Sequence, residues 1–447
     1  MKSFKTLYFA IICLIFSQFS QAQNPIINTQ FTADPTARVF DGKLYLYPSH
    51  DILREKGMGG AMGYCMADYH VFSTDNLTDW KDHGVVLDQK EVPWADQNSH
   101  SMWAPDCVYK NGTYYFYFPV IEKDSGVTQS RRIGVATSKF PHGPFVAEKN
   151  FMVGVKGIDP CVFIDKDNQA YFYWTNKAKI YVSKLKENML ELATEPEVIK
   201  LPSNNFKEGP FVFERNGIYY LTYPFVNTKT ERLVYAMGKH PMGPFEFKGL
   251  IMKESPTKCW TNHQSIVNFK NQWYLFYHHN DYSPKMHQKR STKIDSLFFN
   301  EDGTIQEVIP TLRGVGITKA DKEIHIDRYS SKSDEGVTLA YNDTLVYFKG
   351  WKLQFNKPNA WVSYNNVEVG KSTFKKLTLN AVSPNGGSFE IRLNKLDGKV
   401  IATGKLNKSD KWGSTSFRMK KYKTGTYNLY FVTKGAEQIE VDYVKFE

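Results

Sequence analysis

Cysteine is scarce in this 447-residue chain, with five in all, no Cys-X-X-Cys pair and no Cys/His run at zinc-binding spacing. Cys13 falls in the leader described below, and Cys65, Cys107, Cys161 and Cys259 remain. Cys107 and Cys161 occupy similar points of a repeated phrase, which predicts buried free thiols rather than a disulfide framework. No apolar run is long enough to cross a bilayer, so stable membrane insertion is excluded. The net charge of +11 comes without an arginine-rich run or a nucleic-acid motif. Its lysines are scattered singly, as on a solvated surface, and nucleic acid is excluded as a partner. No long amphipathic helix appears anywhere.

The first residues do carry a pattern. Lys2 and Lys5 precede an apolar stretch from Leu7 to Phe16, and Ser20-Gln21-Ala22 follows as a small-residue cleavage site. Residues 1–22 therefore read as a signal peptide. No cysteine follows the cleavage point to take a lipid, and the mature protein is expected to be secreted or periplasmic.

Aromatic residues make up 15% of the chain and gather in five similar phrases. These are DPTARVFDGKLYLYP from Asp34, APDCVYKNGTYYFYFP from Ala104, DPCVFIDKDNQAYFYW from Asp159, GPFVFERNGIYYLTYP from Gly209 and HQSIVNFKNQWYLFYH from His263. Each runs through an apolar segment, a turn such as Asp41-Gly42, Asn111-Gly112, Asn216-Gly217 or Lys270-Asn271, and an alternating Tyr/Phe-rich strand, which is the signature of a β-hairpin. A unit of this size cannot bury its own faces, so recurrence predicts radial repetition: a five-bladed β-propeller over residues 23–316. From Ile317 onward, short Lys/Thr/Val-rich strands alternate with turns such as Asp397-Gly398. They predict a jelly-roll-like β-sandwich over residues 317–447. The fold class is thus all-β.

Registering the phrases on Pro35, Pro105, Pro160 and Pro210 puts Asp34 and Asp159 directly before the proline, with Glu208 one place earlier and His263 in the column of Glu208. The first residues of innermost propeller strands crowd around one end of the axis. Three carboxylates and a histidine should therefore meet in one pocket. Like charges raise each other's cost on burial, so stability does not explain the cluster. Divergent pKa values do: one carboxylate ionised to activate water and another protonated to serve a leaving group, the chemistry of glycoside hydrolysis.

Asp34-Pro35-Thr36, Trp103-Ala104-Pro105-Asp106, Ile158-Asp159-Pro160, Glu208-Gly209-Pro210 and His263-Gln264-Ser265 resemble glycoside hydrolase family 43, the inverting five-bladed propeller glycosidases. The resemblance implies Asp34 as general base, Glu208 as general acid, and Asp159 as the group that orients the acid and raises its pKa by like-charge repulsion. It also implies Trp103, Asp106 and Arg290 as substrate-binding residues. His263 would face a Ca2+ ion in the axial channel, partly through water, with no organic cofactor. The implied partner is a carbohydrate: terminal pentose units of plant polysaccharide, cleaved by an α-L-arabinofuranosidase or β-xylosidase. Galactofuranosidase or galactanase action, a retaining invertase-type enzyme and a non-catalytic sugar-binding propeller are the alternatives. Against the invertase type stand Ala33-Asp34-Pro35-Thr36 and Glu208-Gly209, where that type has Asn-Asp-Pro-Asn-Gly and Glu-Cys. The loop from Asp51 to Tyr69 is expected to select the sugar.

The C-terminal part resembles carbohydrate-binding module family 6 through Trp361-Val362-Ser363-Tyr364-Asn365-Asn366-Val367, Phe389-Glu390-Ile391-Arg392-Leu393, Tyr427-Asn428-Leu429-Tyr430 and Val441-Asp442-Tyr443. It departs from that pattern in having Thr415 where a second tryptophan often follows Trp412, and Asp442 where asparagine is common.

Overall fold

The computed structural model describes residues 23–447 except 57, 59, 60, 124–129, 202–204, 228, 229, 344–346, 371, 372, 436 and 437. The predicted signal peptide lies outside the described residues, as does part of the Asp51–Tyr69 loop. The secondary structure is strands joined by turns and a few one-turn 3-10 segments, and no described helix is long and apolar enough to cross a membrane.

Five antiparallel sheets follow one another along the chain. Their inner strands are Ala33–Phe40, Asp106–Lys110, Ile158–Ile164, Phe211–Arg215 and Gln264–Phe269. Each pairs with the strand that follows it: Lys43–Ser49, Thr113–Ile121, Ala170–Asn176, Ile218–Val226 and Gln272–His279. The predicted two-residue turns are present, with both residues at positive φ: Asp41 at 49° and Gly42 at 74°, Asn111 at 50° and Gly112 at 77°. That geometry matches strand twist, and Asn, Asp and Gly accept it at little steric cost.

Blades one to four have four strands each and blade five has three, Gln264–Phe269, Gln272–His279 and Ser291–Leu297. The segment Arg290 to Gly316, whose Asp302-Gly303 turn predicts a last strand pair, makes only a single bridge around that turn, Phe299 to Ile305. Instead, the segment before blade one lies along the outer strand of blade five: the Ile26 N–H donates to Thr292 O at 3.0 Å and the Thr32 N–H to Arg290 O at 2.9 Å. A propeller must close on itself, and the chain's early residues supply the closure that a local fourth strand would not.

A buried tyrosine on the second strand of each of blades one to four reaches the next blade. Tyr47 donates to Pro141 O at 2.6 Å, Tyr117 to Met189 O at 2.7 Å, Tyr173 to Pro241 O at 2.6 Å and Tyr220 to Gly303 O at 2.7 Å. In blade five Tyr277 turns to Asp295 of its own sheet. Buried hydroxyls need partners, and here the partner carbonyls belong to the loops after the third strand of the neighbouring blade.

Residues from Thr318 form two six-stranded sheets packed over Phe355, Phe389, Phe431 and many aliphatic side chains, a β-sandwich. Trp412 is exposed on its outer strand, Ser409–Arg418, and the Asp442 carboxylate is held by His325 at 3.1 Å and Asn380 at 3.3 Å. The four expected free thiols are free and buried.

Candidate active site

Asp34 is the second residue of the first inner strand and Asp159 the second residue of the third. Both take left-handed backbone, φ 46° and 56°, as does Gly209 at 72°, the residue in the same register of the fourth repeat. The residue before a proline is barred from the right-handed helical region, and Asp and Gly tolerate the left-handed one. This shared kink starts the inner strands at the axis. At Gly209 a Cβ would stand 3.1 Å from Pro224 and 3.3 Å from His263 Nδ1, so close packing also requires glycine there.

These strand starts, with blade five, line a cleft of about 380 Å3 whose walls include Asp34, Met62, Tyr64, Trp103, Asp159, Glu208, Thr261, His263 and Arg290. Six of the seven expected site residues therefore meet. Asp106 lies outside this lining. It is buried at the axis, where Arg38 grips its two oxygens at 2.8 and 2.6 Å, and it accepts the N–H groups of Cys107 and Val162. Arg38 also donates to Val162 O and lies over the Phe211 ring, tying together inner strands of four blades.

Asp34 is 5% exposed. Its Oδ1 accepts Arg290 Nη1 at 2.8 Å, its Oδ2 accepts the Ser49 hydroxyl at 2.7 Å, and its own N–H donates to His278 Nδ1 at 3.0 Å. Burial alone would raise its pKa, but Arg290, the nearby His278 and His263 and the Ser49 hydroxyl outweigh it and hold the carboxyl below its ordinary value. Arg290, expected to bind sugar hydroxyls, is largely committed to this task. Its Nε and Nη2 take Asp51 at 3.0 and 2.8 Å, and Nη1 reaches Asp34 and Thr261.

Glu208 is pushed up to about 7, by burial and then by the negative charge of Asp34, against the pull of Arg290 and Arg131. Asp159 lies well above the ordinary carboxylate range, by burial and then by Glu208. Like charge within the cleft thus holds both carboxyls up, Asp34 acting on Glu208 and Glu208 on Asp159. Asp159 Oδ2 accepts the Gly209 N–H at 2.8 Å, which fixes the peptide next to Glu208.

Three groups escaped the sequence reading. Glu231, at the start of a third strand, is 2% exposed, accepts the Asn262 N–H at 2.6 Å, and is raised to about 8 by burial and by Glu208. Arg131 stacks on Trp103 with 4.4 Å between its guanidinium and the ring centre. His278 is fully buried and kept neutral by burial and Arg290. Neither Glu231 nor Arg131 belongs to a recurring phrase, and His278 carried only the weak signal of a doubled histidine at a strand end.

His263 lines the cleft and is kept neutral by burial, so its ring can offer a lone pair to a cation. The nearest carboxylate oxygen, Asp34 Oδ1 at 4.0 Å, is already held by Arg290. Among the described residues His263 joins no cluster of three metal-ligating side chains. The donor set therefore fits a calcium ion that keeps most of its water and does not fit a protein cage.

Comparison with known proteins agrees with this architecture. The chain is 37% identical to xylosidase/arabinosidase 43A of Humicola insolens over 63% of its own length and 98% of that protein. It is 26% identical to an arabinoxylan arabinofuranohydrolase of Bacillus subtilis over 92% of its length and 89% of that protein. A β-xylosidase/α-arabinofuranosidase from a compost microbial metagenome, crystallised with xylotriose in a calcium-free form, superposes with a TM-score of 0.58 at 35% identity, over 65% of this chain and 98% of that one. The carbohydrate binding module (family 6) model matches residues 329–447. The model of glycosyl hydrolases family 43 matches residues 22–305, which hold all five blades and the three carboxylates, and the chain is a glycosidase that belongs to that family.

Proposed function

We propose that this protein is a secreted, inverting glycosidase that removes terminal pentose units, arabinofuranose or xylopyranose, from plant polysaccharides or their oligosaccharides. The observation that carries the reading is the split between two carboxyls of one cleft, Asp34 held below its ordinary pKa and Glu208 raised to about 7. Asp34, ionised and fixed by Arg290 and Ser49, takes a proton from the attacking water. Glu208, protonated, donates to the departing glycosidic oxygen, and one displacement inverts the anomeric centre. Asp159, through the Gly209 N–H, holds the backbone that carries Glu208. A hydrated Ca2+ held by His263 would add positive charge in the cleft. The pentose assignment is supported by the relatives, named as xylosidases and arabinosidases. Secretion is supported by the leader over residues 1–22, and the propeller and sandwich are assigned to residues 23–316 and 317–447.

The test is a panel of aryl pentofuranosides, pentopyranosides and galactofuranosides, with the first product followed by NMR. Release of one pentose with inverted anomeric configuration is expected, and Glu208→Ala should abolish it on poor leaving groups. Net retention would overturn the roles, preferred release of galactofuranose would overturn the sugar, and binding without cleavage would make the propeller a lectin.

A further inference from the structure

Blade one carries a second constellation that the cleft does not use. His50 follows the strand Lys43–Ser49, and Asp68 and His70 belong to the next strand of the same sheet. Residues two apart on a strand share a face, so Asp68 and His70 point the same way and His50 comes in from the neighbouring strand end. One ligand atom from each of the three lies within 4.8 Å of the other two. His50 Nδ1 is 2.7 Å from Asp68 Oδ1, and His70 Nε2 is 3.9 Å from the same oxygen. Donors bound tetrahedrally at about 2.0 Å stand roughly 3.3 Å apart, a value these two separations bracket.

The tautomer of His70 is already set for a metal. Its Nδ1 lies 3.1 Å from Asp82 Oδ1, on the adjacent strand Lys81–Asp88. A carboxylate only accepts, so Nδ1 carries the proton and the Nε2 lone pair faces Asp68. The same Asp82 oxygen accepts the Gly84 N–H at 2.8 Å, which fixes the carboxylate behind the ring. A carboxylate behind an imidazole whose far nitrogen faces other donors is the usual outer support of a metal-bound histidine. The side chains of His50, Asp68 and His70 are 14 to 19% exposed, enough for an ion to enter and keep a water as fourth ligand. None of the three lines the cleft.

We propose that His50, Asp68 and His70 form a binding site for a divalent transition metal of the zinc class, separate from the sugar cleft. Two imidazoles and one carboxylate suit such an ion and do not suit calcium, which takes oxygen ligands. On binding, neutral His50 shifts its proton to Nε2, so that Nδ1 exchanges its hydrogen bond to Asp68 for a bond to the ion. His50 immediately precedes Asp51, the residue that grips Arg290. An ion there would pin the strand end from which the catalytic base is held.

Calorimetric titration of the metal-stripped full chain with Zn2+ tests this, together with crystals soaked in zinc and measured at the zinc absorption edge. One zinc per chain is expected, with its anomalous peak among His50, Asp68 and His70. Affinity should fall at least tenfold in Asp68→Asn and in His70→Gln, and about tenfold in Asp82→Asn. Wild-type protein that takes up no zinc, a peak elsewhere, or unchanged affinity in folded Asp68→Asn and His70→Gln would overturn the proposal. Should either variant fail to fold, the position of the peak in wild-type crystals decides.

Discussion

At the scale of single residues, the site works by giving like groups unequal partners. Asp34 has the Arg290 guanidinium, the Ser49 hydroxyl and the neighbouring histidines and stays ionised; Glu208 and Asp159 have fewer partners and are raised. Replacing Arg290 by methionine removes the strongest of the groups that lower Asp34. The acidic limb of kcat/KM is expected to move up by about 1 to 3 pH units, read from a pH–rate profile. As the proposed general acid Glu208 acts protonated, so the alkaline limb is expected near its pKa of about 7, with activity lost as pH rises through it. Asp159→Asn separates two roles. If Asp159 is the neutral group that holds Gly209, the alkaline limb stays in place while kcat falls with the misplaced acid. A limb that moves down in pH would instead identify Asp159 as a charge acting on Glu208.

At the scale of strands and blades, the four interfaces from blade one to blade five combine apolar packing with a buried tyrosine hydroxyl bond. Tyr173→Phe leaves the Pro241 carbonyl without its partner, and a loss of about 1 to 3 kcal/mol in urea unfolding is expected. The hairpins were legible in the sequence because turn chemistry and the alternation of side chains are local. Asn111-Gly112 dictates its own geometry whatever surrounds it. The convergence of Asp34, Asp159, Glu208 and His263 was legible too, since the repeat converts a position in a phrase into a position in space. What the sequence hid was pairwise and long-range. Nothing near Asp106 announces Arg38 as its partner, nothing near Glu231 announces Glu208, and the missing fourth strand of blade five is replaced by residues almost the whole ring away in sequence.

At the scale of the molecule, Asn24 joins three parts. Its side-chain amide donates to Ile294 O at 3.0 Å and Thr311 O at 2.9 Å, and its Oδ1 accepts the Ile294 N–H at 2.8 Å. Its own carbonyl accepts Arg328 of the C-terminal part, which also donates to Tyr282 of the propeller. Asn24→Ala removes the side-chain bonds to Ile294 and Thr311 and keeps the carbonyl that Arg328 uses, so it should destabilise the propeller by on the order of 3 kcal/mol, seen as a lower unfolding temperature in calorimetry. A wild-type-like melt would show that ring closure does not depend on this side chain.

The tyrosine links run one way around the ring and stop after blade four, so the junction of blades five and one is held differently. Across it run the Asp34 N–H to His278, the Ala37 N–H to Ser265, the Ser265 hydroxyl to Pro35 O, and Arg290 to Asp34 and Asp51. Asp34, the proposed base, is thus itself one of the fasteners, whereas Glu208 and Asp159 ride on the tyrosine-linked arc. Any parting of that junction separates Asp34 from its arginine before a single blade unravels. Catalysis in this protein is therefore a gauge of ring integrity, and warming should silence the enzyme while its sheets are still intact.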